Sequence, residues 1–496
     1  MKASQFPAKA PLAPAQSAHA VALVAVALAA ACTINPATGN RQFNLIPESQ
    51  EIALGREADP TIVEQYGLYE DEALQSYVRS LGARLASTSE RPHLPWTFRV
   101  LDDPVVNAFA LPGGFIYITR GILAHLSSEA ELVGVMGHEI GHVTARHGVS
   151  QMSKGLLAQA GVGITAAAGV PGAGSIASAA QTGLGLVFLK NGRDDERQAD
   201  RLGVRYAIRN RYDPHPMVHV FETLRRVSEL SSQERIPGWL STHPAPENRQ
   251  ELLRQEIASY GGEVEESFRV GEKDYLDRLD GLVVGEDPRA GFFQEALFVH
   301  PAMDFQFQFP NGWKTVNLTS SVTGVSAEQN AVVRISRMQE EKADAAAEKF
   351  FEPEAIHRRE SRGPRLRGFE NASYRFSIAR EEGDDVEGVV TFVELGNGVF
   401  SLLGYCLETR FSGYERLLGQ AIDSFRRVRD RDLLDVEPLR LRFSRLPRRM
   451  SLQEWAEGRT LPLPVERLAL MNNVDVDETL PQGTRIKIVV GQLPGA

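Results

Sequence analysis

The sequence predicts a multidomain chain. A mainly α-helical (α+β) domain with a small edge sheet comes first, then a separate α+β domain, then a small β-α-α-β module. Three observations carry this. The 496 residues exceed what a single hydrophobic core organises. Apolar spacing is helical up to about Arg249, and beyond it short alternating runs closed by turn residues take over. From about Pro438 the pattern reads strand, helix, helix, strand.

Composition sets the outer limits. Hydrophobic residues make up 43% and charged residues 24%, as in ordinary globular proteins. A formal net charge of -10 gives no attraction for a polyanion, so no nucleic-acid partner is expected. The two cysteines, Cys32 and Cys406, exclude a disulfide framework.

Lys2 and Lys9 precede "VALVAVALAAA", an apolar run over 21–31 that is long enough for a signal-peptide core and too short to span a bilayer. The cysteine after Ala29, Ala30 and Ala31 resembles a bacterial lipobox, although Leu28 stands four residues before it where three is usual. Residues 1–32 are therefore read as a signal peptide with lipidation at Cys32, and 33–48 as a polar tether. Thr33, where an aspartate would favour inner-membrane retention, points to an outer-membrane lipoprotein of the bacterial cell envelope, facing the periplasm.

Residues 49–260 are expected to form the first domain. Leu74, Val78, Leu81 and Leu85 mark one helix face. "WTFRVL" and "FIYITRG" read as strands joined through "NAFALPGG". Ser128 and Glu131 form a capping pair that opens the next helix. Gly155 to Leu189 contains no charged residue and is read as an apolar hairpin or lid beside the site, with membrane contact as the lesser reading. Residues 261–295 are read as a linker, and 296–432 as an α+β domain of unassigned role. Its "MDFQFQF" is a half-buried strand, and Gly396-Asn397-Gly398 joins two others as a hairpin. Residues 438–496 resemble a LysM carbohydrate-binding module, with "PRRMS" replacing the usual first turn. Peptidoglycan contact is the corresponding expectation, and Arg440, Arg442, Arg445, Arg448 and Arg449 give the segment a basic face.

The chemistry lies in "GHEIGHVTARH". His138 and His142 are four residues apart, which puts both imidazoles on one helix face, where they can share a metal ion. Glu139 is turned about 100° from His138, beside the metal rather than on it, where a carboxylate can take a proton from activated water. At most about 0.03 such H-E-x-x-H matches are expected by chance in this composition. His147 falls about 140° from His142 on a continuing helix, so it reads as a helix-end or surface histidine. Downstream, "RDDERQADRLG" places Glu196 and Asp200 four residues apart. On a second packed helix Glu196 can complete a two-histidine, one-carboxylate set with an open fourth position. Asp200 can accept the outer N–H of a ligand histidine.

"NAFALPGGFIYITRGIL", "GHEIGHVTARH", "RDDERQADRLG", "YDP" and "STHPAPENR" occur in the order typical of metallopeptidase family forty-eight, which the chain resembles over roughly Asn35 to Leu253. The family includes the CAAX prenyl, HtpX and BepA-type proteases. The resemblance implies a gluzincin-type fold with one zinc ion at His138, His142 and Glu196, and Glu139 as general base and acid. It also implies an endopeptidase acting on unfolded or misassembled envelope proteins. By analogy, Asn107, Gly113 and Gly114 lie on the substrate side, next to an edge strand that takes up an extended peptide. His243 either swings to the open zinc position or donates to the oxyanion, while Arg249 anchors its loop. Two other classes stay open. One is an envelope assembly chaperone or scaffold with a gated zinc site, and the other a cell-wall hydrolase suggested by the LysM-like tail.

Overall fold

The computed structural model describes residues 32–166, 191–230, 239, 243, 248–361, 365–380, 383–396 and 398–492. The apolar run before Cys32, and most of the uncharged stretch between Gly155 and Leu189, lie outside them. No helix among the described residues is long and apolar enough to cross a membrane.

The first domain is built around one buried helix. Helix Glu72–Ser87 packs with Leu74, Val78, Leu81 and Leu85 inward, as the spacing predicts. The sheet that follows has Phe115–Thr119 at its centre, parallel to Thr97–Leu101 and antiparallel to Ala108–Leu111. Ala108–Leu111 is thus an edge strand. Helix Glu129–Thr144, the ligand helix, starts at Ser128, whose hydroxyl accepts from Glu131 N at 3.2 Å. The Glu131 carboxylate accepts in turn from Ser127 N, one residue before the expected cap.

All sixteen residues of the ligand helix are buried. Its glycines explain how a second helix comes so close. A Cβ on Gly137 would lie 3.1 Å from Gly203 Cα, and one on Gly141 would lie 3.1 Å from Ala199 O. The helix Arg193–Arg209, which carries Gly203 and Ala199, therefore meets it backbone to backbone. That contact sets the distance at which Glu196 faces the histidines.

Two stretches expected as connectors are folded instead. In the tether, Cys32–Ile34 pairs with Arg41–Phe43 as a hairpin, and Asn35 Nδ2 donates to Ala145 O at 3.1 Å. In the linker, helix Glu272–Arg278 buries Tyr275 and Leu276 in the core of the first domain.

The second α+β region has a seven-stranded antiparallel sheet with Ala343–Phe350 and Glu408–Asp423 packed on it, plus a three-stranded sheet that includes Phe305–Gln308. Val386–Leu395 and Gly398–Leu407 pair as the hairpin signal predicts. The closing helix, Glu408–Asp423, follows directly on the last of these strands. The last region shows the predicted order, with Arg440–Arg445 and Arg485–Val490 paired around two short helices, Leu452–Ala456 and Val465–Met471.

Candidate metal centre

Four side chains from three places in the chain converge. His138, His142, Glu196 and His243 are all buried, and one donor atom from each lies within 4.8 Å of the others. The Nε2 atoms of His138 and His142 are 2.9 Å apart. Glu196 stands 3.4 Å from each of them, and His243 Nδ1 lies 3.1 Å from Glu196 Oε1.

The outer nitrogens explain why the inner ones converge. His138 Nδ1 is 2.8 Å from Asp200 Oδ1, so it carries the proton and donates. His142 Nδ1 is 2.8 Å from His147 Nδ1, whose Nε2 lies 3.2 Å from Gln198 Oε1. An amide oxygen can only accept, so His147 Nε2 holds its proton and its Nδ1 accepts from His142. Nδ1 of each ligand histidine thereby carries its outer hydrogen bond, and Nε2, the nitrogen that can give a lone pair to a metal, is turned toward one carboxylate.

That arrangement calls for a cation. Glu139, Glu196 and Asp200 are buried with one guanidinium, Arg249, among them. With neutral imidazoles the cluster carries two negative charges in excess, which a divalent ion balances. Glu196 Oε2 is buried without a hydrogen bond among the described residues, as a waiting donor would be. Burial pushes the His138 imidazole down, yet the Asp200 and Glu196 carboxylates raise it to about 9. The site favours positive charge at that point. Two imidazoles and a carboxylate form a zinc donor set.

Glu139 sits beside the donors and is not one of them. Its Oε1 accepts from Trp239 Nε1 at 3.3 Å, and its Oε2 is buried with no partner among the described residues. Burial raises its carboxyl above the usual carboxylate range, with the His243 and His138 rings opposing. Arg249 grips Asp200 through Nε and Nη2, at 2.8 and 2.6 Å. Its guanidinium lies over Phe221, 3.7 Å from the ring centroid. The loop anchor expected from sequence thus acts on the carboxylate behind a ligand. Asp200 itself is held below the usual range by Arg249 and His138 against its burial.

A narrow cleft of about 50 Å³ opens next to the donors, walled by Phe109, Ala110, Leu111 and Pro112 on one side and by His142, Val143 and Val149 on the other. The edge strand therefore does border the site. Asn107, just before it, accepts from Thr119 N through its backbone and buries an Oδ1 with no hydrogen bond among the described residues. Gly113 and Gly114 are not in the cleft wall; they form a turn with φ of 84° and 101°, packed on Glu51, Ile52 and Trp96. Cys32 opens the N-terminal hairpin, and the stretch before it is outside the described residues.

His147 corrects an expectation. It is fully buried, not a surface histidine. A rotation of about 140° from His142 holds only on a continuing helix, whereas the chain turns at Ala145 and Arg146, the latter at φ 58°. A new helix starts at His147 and turns its ring back onto His142. Trp239 was missed as well. Its ring stacks on His243 with centroids 4.6 Å apart, and the four-residue spacing of these two residues was a readable signal.

Residues 72–257 match the model of Peptidase family M48. The chain is 31% identical over 242 residues to the beta-barrel assembly-enhancing protease of Escherichia coli (strain K12), covering 47% of this chain and 49% of that protein. It is 31% identical over 186 residues to the mitochondrial metalloendopeptidase OMA1 of Arabidopsis thaliana, covering 38% and 36%. The OMA1 of Schizosaccharomyces pombe is 28% identical over 221 residues, covering 43% and 63%. The chain spans about half or less of the bacterial relatives it matches, and residues 72–257, which match the family model, include all four converging side chains.

Proposed function

Residues 72–257 carry a peptidase family M48 domain, and from that premise we propose that this chain is a zinc endopeptidase of the bacterial envelope. It is held to the membrane by a lipid on Cys32 and cuts unfolded or misassembled envelope proteins. The observation that carries the reading is the pairing of a complete donor set with a free base. His138, His142 and Glu196 converge on one point, and Glu139 Oε2, without a hydrogen bond among the described residues, lies next to it.

Zinc bound there would supply a Lewis acid that activates water and polarises the scissile carbonyl. The residues do the rest. Glu139 takes the proton of the attacking water at Oε2 and returns it to the leaving amine. Its raised carboxyl affinity brings it closer to the working pH of such a transfer. Asp200 and His147 hold the two imidazoles in the tautomer that leaves Nε2 free. Strand Ala108–Leu111 offers its edge to an extended peptide, a mode that suits unfolded chains because it reads backbone. The substrate class is supported by the Escherichia coli relative, whose name couples proteolysis to beta-barrel assembly.

A second reading has its own observation. His243 Nδ1 is 3.1 Å from Glu196 and 3.4 Å from His138 Nε2, in the fourth donor position. A histidine there gates the site, giving a scaffold that cuts only when the loop moves.

The test compares the chain from Thr33 onward with its Glu139→Gln variant, on casein and on itself, with zinc content checked. Glu139→Gln should keep zinc and cut at least about 10²-fold more slowly. Equal cleavage by both would sink the base assignment. If both bind zinc and neither cuts, a gain of cleavage in His243→Ala selects the gated reading.

A further inference from the structure

The C-terminal region reads from sequence as an appended module, yet a buried lysine ties it to the metal-binding domain. Lys487, on strand Arg485–Val490, is 3% exposed. Its ammonium donates to Met471 O of its own region at 2.6 Å. It also reaches Leu126 O at 2.7 Å, Ala124 O at 3.1 Å and Ser127 Oγ at 3.2 Å. These last three acceptors lie between helix Arg120–His125 and Ser128, the cap of the ligand helix. Carbonyls at a helix C-terminus lack partners within the helix and carry partial negative charge. Lys487 supplies the protons, and its charge is sustained against burial, which lowers the ammonium to about 7, by the Glu131 and Glu272 carboxylates. A buried ammonium is tolerated only when it is saturated in this way.

Two further contacts run from the same region to the site. Asn473 Oδ1 accepts from Thr223 Oγ1 at 2.7 Å, and Val474 O accepts from Arg226 at 3.2 Å. Both donors lie on helix Pro216–Leu230, whose Phe221 underlies Arg249. Leu441 N donates to Leu282 O and Val284 N to Leu439 O, each at 2.8 Å, so strand Arg440–Arg445 is joined to the end of the first domain. Leu441 and Ile486 share one core with Leu132, Val135 and Met136 of the ligand helix.

We propose that residues 438–492 are a built-in brace of the metal-binding unit, and that Lys487 is a positioning residue setting the start of the helix that carries His138, Glu139 and His142. His138 lies ten residues beyond the cap, about 15 Å along the axis. Tilting the helix by about 2° at its start moves His138 by about 0.5 Å. Ligand distances tolerate about 0.2 Å.

The experiment uses the full chain with Lys487→Met, and with Trp455→Ala, on helix Leu452–Ala456, as a control for loss of buried area alone. Three quantities are read below the melting range: zinc release to a chelator, amide exchange over 127–133, and the split of cleavage into kcat and KM. Lys487→Met should speed zinc release and exchange at least tenfold and lower kcat with KM kept. Trp455→Ala, at a similar loss of Tm, should leave all three within twofold. Lys487→Met within twofold of wild type, or equal effects from Trp455→Ala, would overturn the proposal. If Lys487→Met does not fold, wild-type exchange in mild denaturant decides. Residues 127–133 and 485–490 should open together, and separate opening overturns the brace. The kcat arm rests on the peptidase reading; zinc release and exchange do not, so the two can fail independently.

Discussion

Asp200 Oδ1 lies 2.8 Å from His138 Nδ1, and the same carboxylate is held through both oxygens by Arg249. This sequence of contacts runs from a buried cation through an anion to a candidate metal ligand. It fixes the tautomer of His138 and keeps the carboxylate charged at full burial, and it uses residues 49 and 111 positions from Arg249.

The first prediction concerns that carboxylate. Asp200→Asn keeps an acceptor for His138 but removes the charge that Arg249 neutralises. Zinc affinity should fall by about 10-fold to 100-fold, the usual cost of losing such a partner. Competition with a chelator measures it, and unchanged affinity would mean that Asp200 plays no part in holding zinc.

The second concerns His147, which accepts the outer proton of His142. Burial keeps its own imidazole below the ordinary histidine range, so it stays neutral and can accept. His147→Leu removes the acceptor and leaves the His142 N–H unpaired in the core. Zinc binding should weaken about tenfold, with His147→Gln milder because its amide oxygen can accept. Equal effects from both substitutions would reduce His147 to packing.

The site was legible wherever helix geometry alone places the residues. Four-residue spacing fixes His138 against His142 and Glu196 against Asp200 before any tertiary contact is known. His147 was misread because its direction depends on the turn at Ala145 and Arg146, where a non-glycine residue adopts a left-handed conformation that no pattern announces. Lys487 carries no signal at all. In "RIKIVV" it reads as the solvent-facing residue of an alternating strand, and only the docking of that strand on the Ala124 and Leu126 carbonyls buries it. The tether and linker were misread for the same reason: polar, glycine-punctuated sequence says how a segment turns, not what it lies against.

The third prediction separates a turn from a substrate contact. Gly113 has φ 84°, and a Cβ there would come within 2.7 Å of Ile52 Cα. Both the left-handed backbone and the backbone clash oppose a side chain. Gly113→Ala should lower stability by about 2 kcal/mol or more, read as a shift in urea midpoint, while KM for a peptide stays unchanged in the folded fraction. A raised KM at unchanged midpoint would return Gly113 to the substrate side.

The fourth tests the ionic group behind the ligand helix. Arg91, 1% exposed, pairs through both terminal nitrogens with Glu51, at 2.8 and 2.9 Å, and donates to Val143 O of the ligand helix at 2.9 Å. Arg146 Nε reaches the same Glu51 at 3.0 Å. One buried carboxylate therefore serves two guanidiniums. Glu51→Leu leaves both without it and should cost about 3–5 kcal/mol. Arg91→Met should cost less, because Glu51 retains Arg146. The double variant should then be less destabilised than the two single effects added together, since the second change removes a guanidinium that the first had left with Glu48 alone, at 2.8 Å. Urea midpoints of the four proteins give the coupling directly. Strict additivity would mean that Arg91 and Glu51 are held by packing rather than by each other, and the link from Glu51 to the last turn of the ligand helix would have to be sought elsewhere.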